Sequence, residues 1–346
     1  MNERWVEFLR AQGAVFADGR VTDFSQPAQE RLAARDGDVV VGLTHLALVR
    51  VSGTDRAAFL NGQLTNDIGR LDATHSQLSA WCSPKGRMLA LFRVTALDQS
   101  YLLELPAALR DDVIKRLRMY VLRAKVAIET VDDALVHFGV AGSDMALRLR
   151  DAIGEAPSEA NRVCTRGRLT CVRLHGTHPR FEIIGAPEAA RALWTELTTR
   201  ATRAGAGTWD WLDILAGIPT VLPQTSDAFV PQMGNLDLID AISFDKGCYT
   251  GQEIVARVRY RGRVKQRMYR AHVRAVDTPQ PGDSIFVPDL PGQSAGTVVI
   301  AAASPDDGHE LLAILYSDSV ARGDLHLHRA DGPPLTIEPL PYPLPG

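Results

Sequence analysis

The feature that most constrains this chain is an order of elements that runs twice. "VVVGLTHLALVRV", residues 39–51, reads as one strand or two. Thr54 is placed to cap a helix over "DRAAFLNGQL", because its hydroxyl can accept an otherwise orphan N–H. Two extended runs follow in "QLSAWCSPKGRMLALFRVTAL", turned by Pro84-Lys85-Gly86. "YLLEL" is a further strand, and residues 107–119 have helical spacing. The order then recurs. "ALVHFGVAG" is a strand, and "SDMALRLRDAIG" is a helix with Ser143 at its cap. "RLTCVRL" and "RFEIIGA" are strands, and "PEAARALWTELTTRA" is a helix with Pro187 in its first turn. A short amphipathic helix over residues 1–12 precedes both passes, with Trp5, Phe8 and Leu9 on one side. The expectation is an α+β body of two related α/β-type subdomains, roughly 1–130 and 131–268.

From about residue 270 the texture changes. "MYRAHV", "DSIFVP", "AGTVVIAA" and "ELLAILY" are short and β-rich, separated by the turn chemistry of "TPQPGD", "DLPGQS" and "SPDDG". Evenly spaced short strands predict a small C-terminal β-barrel over 269–346, with "PLPYPLPG" as an irregular tail. A length of 346 residues agrees with more than one domain. The net charge of -3 argues against wholesale nucleic-acid binding. The four cysteines, Cys82, Cys164, Cys171 and Cys248, form no C-x-x-C pair. No metal site is expected, since the nine histidines do not cluster. The charged start "MNERWVEFLRAQGAVF" lacks a signal peptide's apolar core, and the most apolar run is too short to span a bilayer. The expected location is the cytoplasm. Walker, dinucleotide-binding and H-E-x-x-H patterns are missing from the sequence.

The chemistry concentrates in "FDKGCYTGQEIVARVRYRG", residues 244–262. A lone cysteine is most often a small buried hydrophobe. Around Cys248, however, Gly247 and Gly251 permit tight backbone geometry, and Lys246 favours a thiolate. No histidine is near in sequence to serve as a base. Redox chemistry or transient metal contact is easier to defend than hydrolysis, though the spacing does not choose. Downstream, Arg257, Arg259, Arg261, Arg263, Lys265 and Arg267 fall at every second position. On a strand they would share one face and attract anions. The same row also suits a solvated edge strand. Trp209 and Trp211 precede "LDILAGIPTV" on an expected helix. One indole could stack a flat heterocycle, although core packing is the commoner use.

"KGCYTGQE", residues 246–253, resembles the motif of the YgfZ family of folate-binding proteins, relatives of the glycine-cleavage T-protein. "VSGTDRAAFLNGQLTNDI", "SPKGRMLALFRV", "YVLRAKVAIE", "WLDILAGIPTV" and "FVPQMGNLDLIDAISFDKGCYTGQEIVAR" resemble further family blocks, in order, over about residues 40–265. The resemblance implies an aminomethyltransferase-like body (1–268) with a central channel for tetrahydrofolate or a relative, followed by the barrel. It implies an accessory role in iron–sulfur cluster assembly or repair, with an indirect effect on tRNA modification and no classical enzyme activity. Its implied partners are folate and the iron–sulfur machinery or its client enzymes. No membrane partner and no direct RNA contact are implied, and the family prior is a monomer.

Residue by residue, Cys248 is the motif cysteine, in a redox or cluster-linked role, with Lys246, Gly247, Tyr249, Gly251, Gln252 and Glu253 around it. Trp209 takes the place of a folate-contacting tryptophan. Leu46 stands where a second tryptophan is usual, and Asp245 where a second lysine is common. Arg257, Arg259 and Arg261 are candidates to receive the folate's acidic tail. The alternative is a folate-dependent one-carbon transferase. Against it, Leu89 and Ala90 occupy the region where T-proteins carry an aspartate pair, so no carboxylate manages a proton at the amine. A third reading, a module that holds RNA or a partner on the basic face, predicts salt-sensitive binding.

Overall fold

A computed structural model describes residues 2–261, 264–288 and 292–345, without the side chains of Tyr260 and Arg261. The chain divides into two compact units that interleave in sequence. The first comprises Met1–Arg56, Leu71–Gln77 and Arg93–Leu212; the second comprises Ala57–Arg70, Leu78–Phe92 and Asp213–Gly346.

The first unit is built on a six-stranded sheet. Its order is Val163–Arg166, Leu169–Arg173, Arg180–Gly185, Val136–Ala141, Val39–Gly42, Thr202–Ala204. All neighbours are antiparallel except the last pair, which is parallel. "VVVG" is buried at every position, as a strand covered on both faces must be. The helix Glu3–Ala11 starts at Asn2, whose side-chain oxygen accepts from the Trp5 N–H at 2.9 Å. It buries Trp5 and Leu9 against the sheet's core, where the Trp5 and Trp194 rings meet edge to face at 5.7 Å. In a second group of strands, Leu46–Ser52 pairs antiparallel with Ser100–Pro106 and with Ala127–Thr130. The helix Pro187–Leu197 has Pro187 in its first turn, as expected. Two expected caps are not made: Asp144, not Ser143, precedes Met145–Ile153, and the Thr54 hydroxyl donates to Asp55 at 3.3 Å.

The second unit contains the anticipated barrel. It closes in the order Gln266–Val273, His309–Tyr316, Ser294–Ala303, Ser284–Phe286, Leu325–Leu327, Pro334–Glu338. Ala271 and Val273, Leu311, Ala313 and Leu315, and Leu325 and Leu327 fill its interior at every second position. Closure removes the sheet edges that short strands would otherwise expose. The tail is tied down: the Tyr342 hydroxyl donates to the Gly217 carbonyl at 2.7 Å.

The same unit holds the cysteine motif. Asn235, in the left-handed region at φ 59°, donates to the Met268 carbonyl at 2.8 Å. Gln232 donates to the Val255 carbonyl at 2.6 Å, joining this loop to the motif helix Gln252–Arg261. The helix begins beside the turn at residues 83–86. Gly251 has φ 82°, and a Cβ there would lie 2.5 Å from the Ser83 carbonyl oxygen and 2.9 Å from the Gly86 Cα. Only a glycine accepts both the conformation and the approach. Gly251→Ala should therefore cost more than the backbone penalty of about 1–2 kcal/mol, read as a lower denaturant midpoint at unchanged slope. An unchanged midpoint would show that the turn gives way freely.

Candidate functional site

Two regions carry chemistry, one in each unit. In the first unit a pocket of about 250 Å³ is walled by Leu43, Leu46, Ala47, Leu48, Val136 and His137. At its rim Arg110 donates to Asp132 at 2.6 Å. Behind His137 lies a buried polar cluster. The His137 Nε2 is 2.9 Å from the Leu43 carbonyl, which accepts its proton and leaves Nδ1 facing two carboxyl groups. Nδ1 lies 3.2 Å from Glu182 Oε1 and 3.8 Å from Glu104 Oε2. The strands dictate this meeting. His137 pairs with Ile184 and Gly139 with Glu182, so His137 and Glu182 are diagonal neighbours on one face.

Burial, reinforced by the neighbouring Glu182 carboxyl, holds the Glu104 carboxyl well above its ordinary range. Glu104 is thus the member that keeps a proton, and it is hydrogen-bonded to Glu182. Burial also lowers the His137 pKa, so the imidazole is neutral. The donor atoms of Glu104, His137 and Glu182 lie within 4.8 Å of one another, close enough to share a cation or a proton. The proton-holding Glu104 favours the second.

Leu46, the first residue of the strand Leu46–Ser52, is part of the pocket wall. Trp209 does not reach the pocket. It is 2% exposed on the helix Ala206–Leu215. A Cβ on Gly139 would lie 2.4 Å from its ring, and the Arg180 guanidinium carbon sits 5.2 Å from its centroid. Its ring is occupied by the sheet and a cation, which corrects the picture of an indole open to a ligand. On the same helix Asp210 accepts from Arg20 and lies 3.6 Å from His45 Nε2.

In the second unit Cys248 is exposed, four residues ahead of the motif helix. Lys246 does not face the thiol. Its Nζ donates to the carbonyls of Asn61, Leu64 and Asn66 at 2.7, 2.7 and 2.8 Å, covering the end of the helix Arg56–Gln63. Burial lowers this ammonium to about 8. Tyr249 is buried, its ring centroid 5.2 Å from that ammonium, and its N–H donates to the Gln252 side chain at 3.3 Å. Gly247 faces open space, and Glu253 sits in the helix's first turn, where the dipole favours an acid. Most of the motif therefore holds the loop, and it presents the thiol to solvent. Cys82 contrasts with it: burial pushes that thiol up to about 12.

The arginine row is not a strand. Residues 252–261 are helical, so Arg257 and Arg259 point about 200° apart. Both are exposed, and Arg259 packs its guanidinium 3.9 Å over the Phe244 ring. Arg267 is on the first barrel strand, paired with Asp237 at 2.6 and 3.0 Å. The Arg261 side chain, Gly262 and Arg263 lie outside the described residues. Among the described side chains, Arg257, Arg259 and Arg267 share no strand face. Arg259 and Arg267 instead line a polar groove of about 880 Å³ with Phe244, Asp237, Asp240 and Asn66.

This architecture is that of an aminomethyltransferase-like protein. Residues 4–164 match the family model for the GCVT N-terminal domain. The structure of glycine cleavage system aminomethyltransferase T from Bartonella henselae superposes with a TM-score of 0.74, covering 99% of this chain and 97% of that one, at 18% identity. The sequence narrows the class. The chain is 34% identical over 311 residues to tRNA-modifying protein YgfZ of Yersinia pestis (strain Pestoides F), covering 88% of this chain and 92% of that protein. It is 32% identical over 304 residues to the protein of that name from Sodalis glossinidius, with the same two coverages. It is 31% identical over 318 residues to that of Klebsiella pneumoniae (strain 342), covering 92% and 97%. The chain belongs to the YgfZ family. Among the described residues no helix is long and apolar enough to cross a membrane.

Reasoning from sequence did not find Glu104, His137 or Glu182. The available signal was an ionisable residue inside an apolar strand run, in "YLLEL", "VHFGV" and "RFEII".

The lowered His45 has a consequence for stability. Burial, then the Arg20 charge, puts its pKa well below 6.5. Below pH 6.5 the unfolded chain takes up a proton that the folded chain excludes, so stability falls as the pH drops. The slope from this one group approaches about 1.4 kcal/mol per pH unit. His45→Gln should flatten the fall in unfolding free energy between pH 6.5 and 5 in denaturant titrations. An unaltered slope would mean that His45 is protonated in the fold.

Proposed function

We propose that the chain binds a reduced folate through its pterin ring in the pocket of the first unit, and that it acts as an accessory protein in iron–sulfur cluster assembly or repair. The observation that carries the folate reading is the pocket itself. At about 250 Å³ it falls below the size of pockets that enclose a whole drug-sized ligand and suits one bicyclic ring. Leu43, Leu46, Leu48, Val136 and the His137 ring offer van der Waals contact, while the rim pair Arg110–Asp132 offers polar contact. The remainder of a folate would extend outside. Trp209 contributes from behind the wall, by packing against Gly139 two residues from His137.

Cys248 is the group for the second part. It is an exposed thiol held on a glycine-bounded loop, and its relatives bear the name tRNA-modifying protein. An iron–sulfur cluster in transit, or its oxidised thiol partner, is the substrate that such a thiol meets. That role would reach tRNA through a cluster-dependent modifying enzyme. The transferase reading is weaker, because Leu89 and Ala90 are buried apolar residues where a carboxylate would be required.

Two experiments separate the parts. Tetrahydrofolate titrated calorimetrically should bind the parent chain with one-to-one saturation. Ala47→Trp, which fills the pocket, should weaken binding at least tenfold while the far-ultraviolet circular dichroism is retained. Equal affinity in that variant would place the folate elsewhere. In cells, Cys248→Ala should lower cluster-dependent tRNA methylthiolation severalfold without loss of folded protein. Full methylthiolation would remove the thiol from the function.

A further inference from the structure

The structure brings together two cysteines that the sequence left apart. Cys164 is on the edge strand Val163–Arg166 of the six-stranded sheet, and Cys171 is on its neighbour Leu169–Arg173. They are direct partners in the antiparallel register. The Arg173 N–H donates to the Arg162 carbonyl at 2.9 Å. Counting along the alternating ladder from that bond places Cys164 and Cys171 at a hydrogen-bonded position, where Cα atoms are about 5.5 Å apart. Disulfides span about 4.4–6.8 Å between Cα atoms, a range that includes this separation.

We propose that Cys164 and Cys171 form a redox-active dithiol, an oxidative modification site that closes to a cross-strand disulfide when the chain meets a peroxide. The pair is asymmetric in the way such chemistry needs. Cys164 is 8% exposed and lies at the sheet's edge, whereas Cys171 is fully enclosed. The two thiols are hydrogen-bonded, which lowers the Cys164 pKa, with the Arg166 charge acting in the same sense. Cys164 is therefore the thiol that is oxidised first and Cys171 the one that resolves.

The steps balance. The Cys164 thiolate attacks one peroxide oxygen, the O–O bond breaks, and hydroxide leaves, giving a sulfenic acid. The Cys171 sulfur then attacks the Cys164 sulfur, the S–O bond breaks, and the hydroxyl departs with the Cys171 proton as water. Two thiols lose two electrons, and one peroxide becomes two molecules of water. Cys171 pairs with Ile183 on the next strand, so the dithiol faces away from Glu182 and the acid–histidine cluster. The proposal does not depend on the folate reading.

The test uses the full-length Cys248→Ser chain, which removes the exposed thiol and leaves three of the four cysteines. After exposure to hydrogen peroxide, thiols counted in denaturant should fall from three to one. The mass should drop by two hydrogens, and dithiothreitol should restore both. Peptide mapping should join the segments holding Cys164 and Cys171. Cys164→Ser in the same background should retain both remaining thiols. Should that variant fold poorly, the peptide map of its parent decides alone. Three surviving thiols, separately oxidised cysteines, or a linkage between two chains would each overturn the proposal.

Discussion

A carboxyl group buried beside another carboxyl must keep its proton or find a cation, and the site of the first unit depends on this constraint. Glu104 is buried beside Glu182, and its carboxyl is held well above its ordinary range. His137 cannot relieve the pair as an imidazolium, because burial lowers its own pKa. What remains is a hydrogen-bonded pair of carboxyl groups, Glu104 and Glu182, beside a neutral His137 whose ring lines the pocket. Removing one member would leave a buried polar group unsatisfied at a cost of about 1–3 kcal/mol. Such a cluster is an expensive way to build a core, and the adjoining pocket gives it a use.

The second unit solves a different problem, that of holding a thiol in water on a rigid loop. The Lys246 ammonium answers three backbone carbonyls near one helix end, and Gly251 lies against the turn at residues 83–86. Thr65 ties the same region together, donating to the Ala241 carbonyl at 2.8 Å and accepting from the Ala80 N–H at 2.8 Å. Residues that look like catalytic neighbours of Cys248 in the sequence are its supports in the fold. The family resemblance drew attention to this stretch, and the geometry assigns its members distinct tasks.

Much of the architecture was legible in the sequence because periodicity reports burial. The barrel's alternating core, the strands "VVVG" and "RFEII" and the helix after Pro187 follow directly from pattern and turn chemistry. The arginine row misleads because its period of two in charge runs along a helix, whose backbone period is 3.6. The apolar residues Ile254, Val255 and Val258 were the better guide, since their spacing is helical. Glu104, His137 and Glu182 stayed hidden because strand pairing, which local sequence does not specify, brings them together from distant positions. The same pairing joins Cys164 to Cys171. Trp209 was correctly placed on a helix, but Gly139, 70 positions earlier, decides that its ring packs inward.

The most direct test of the central claim is a nitrogen-15 histidine spectrum of the whole chain, recorded as tetrahydrofolate is added. Ligand in the proposed pocket should move the His137 ring resonances in step with saturation and leave the barrel histidines His272 and His309 where they were. Shifts confined to the barrel histidines, with His137 unmoved at saturation, would contradict the account.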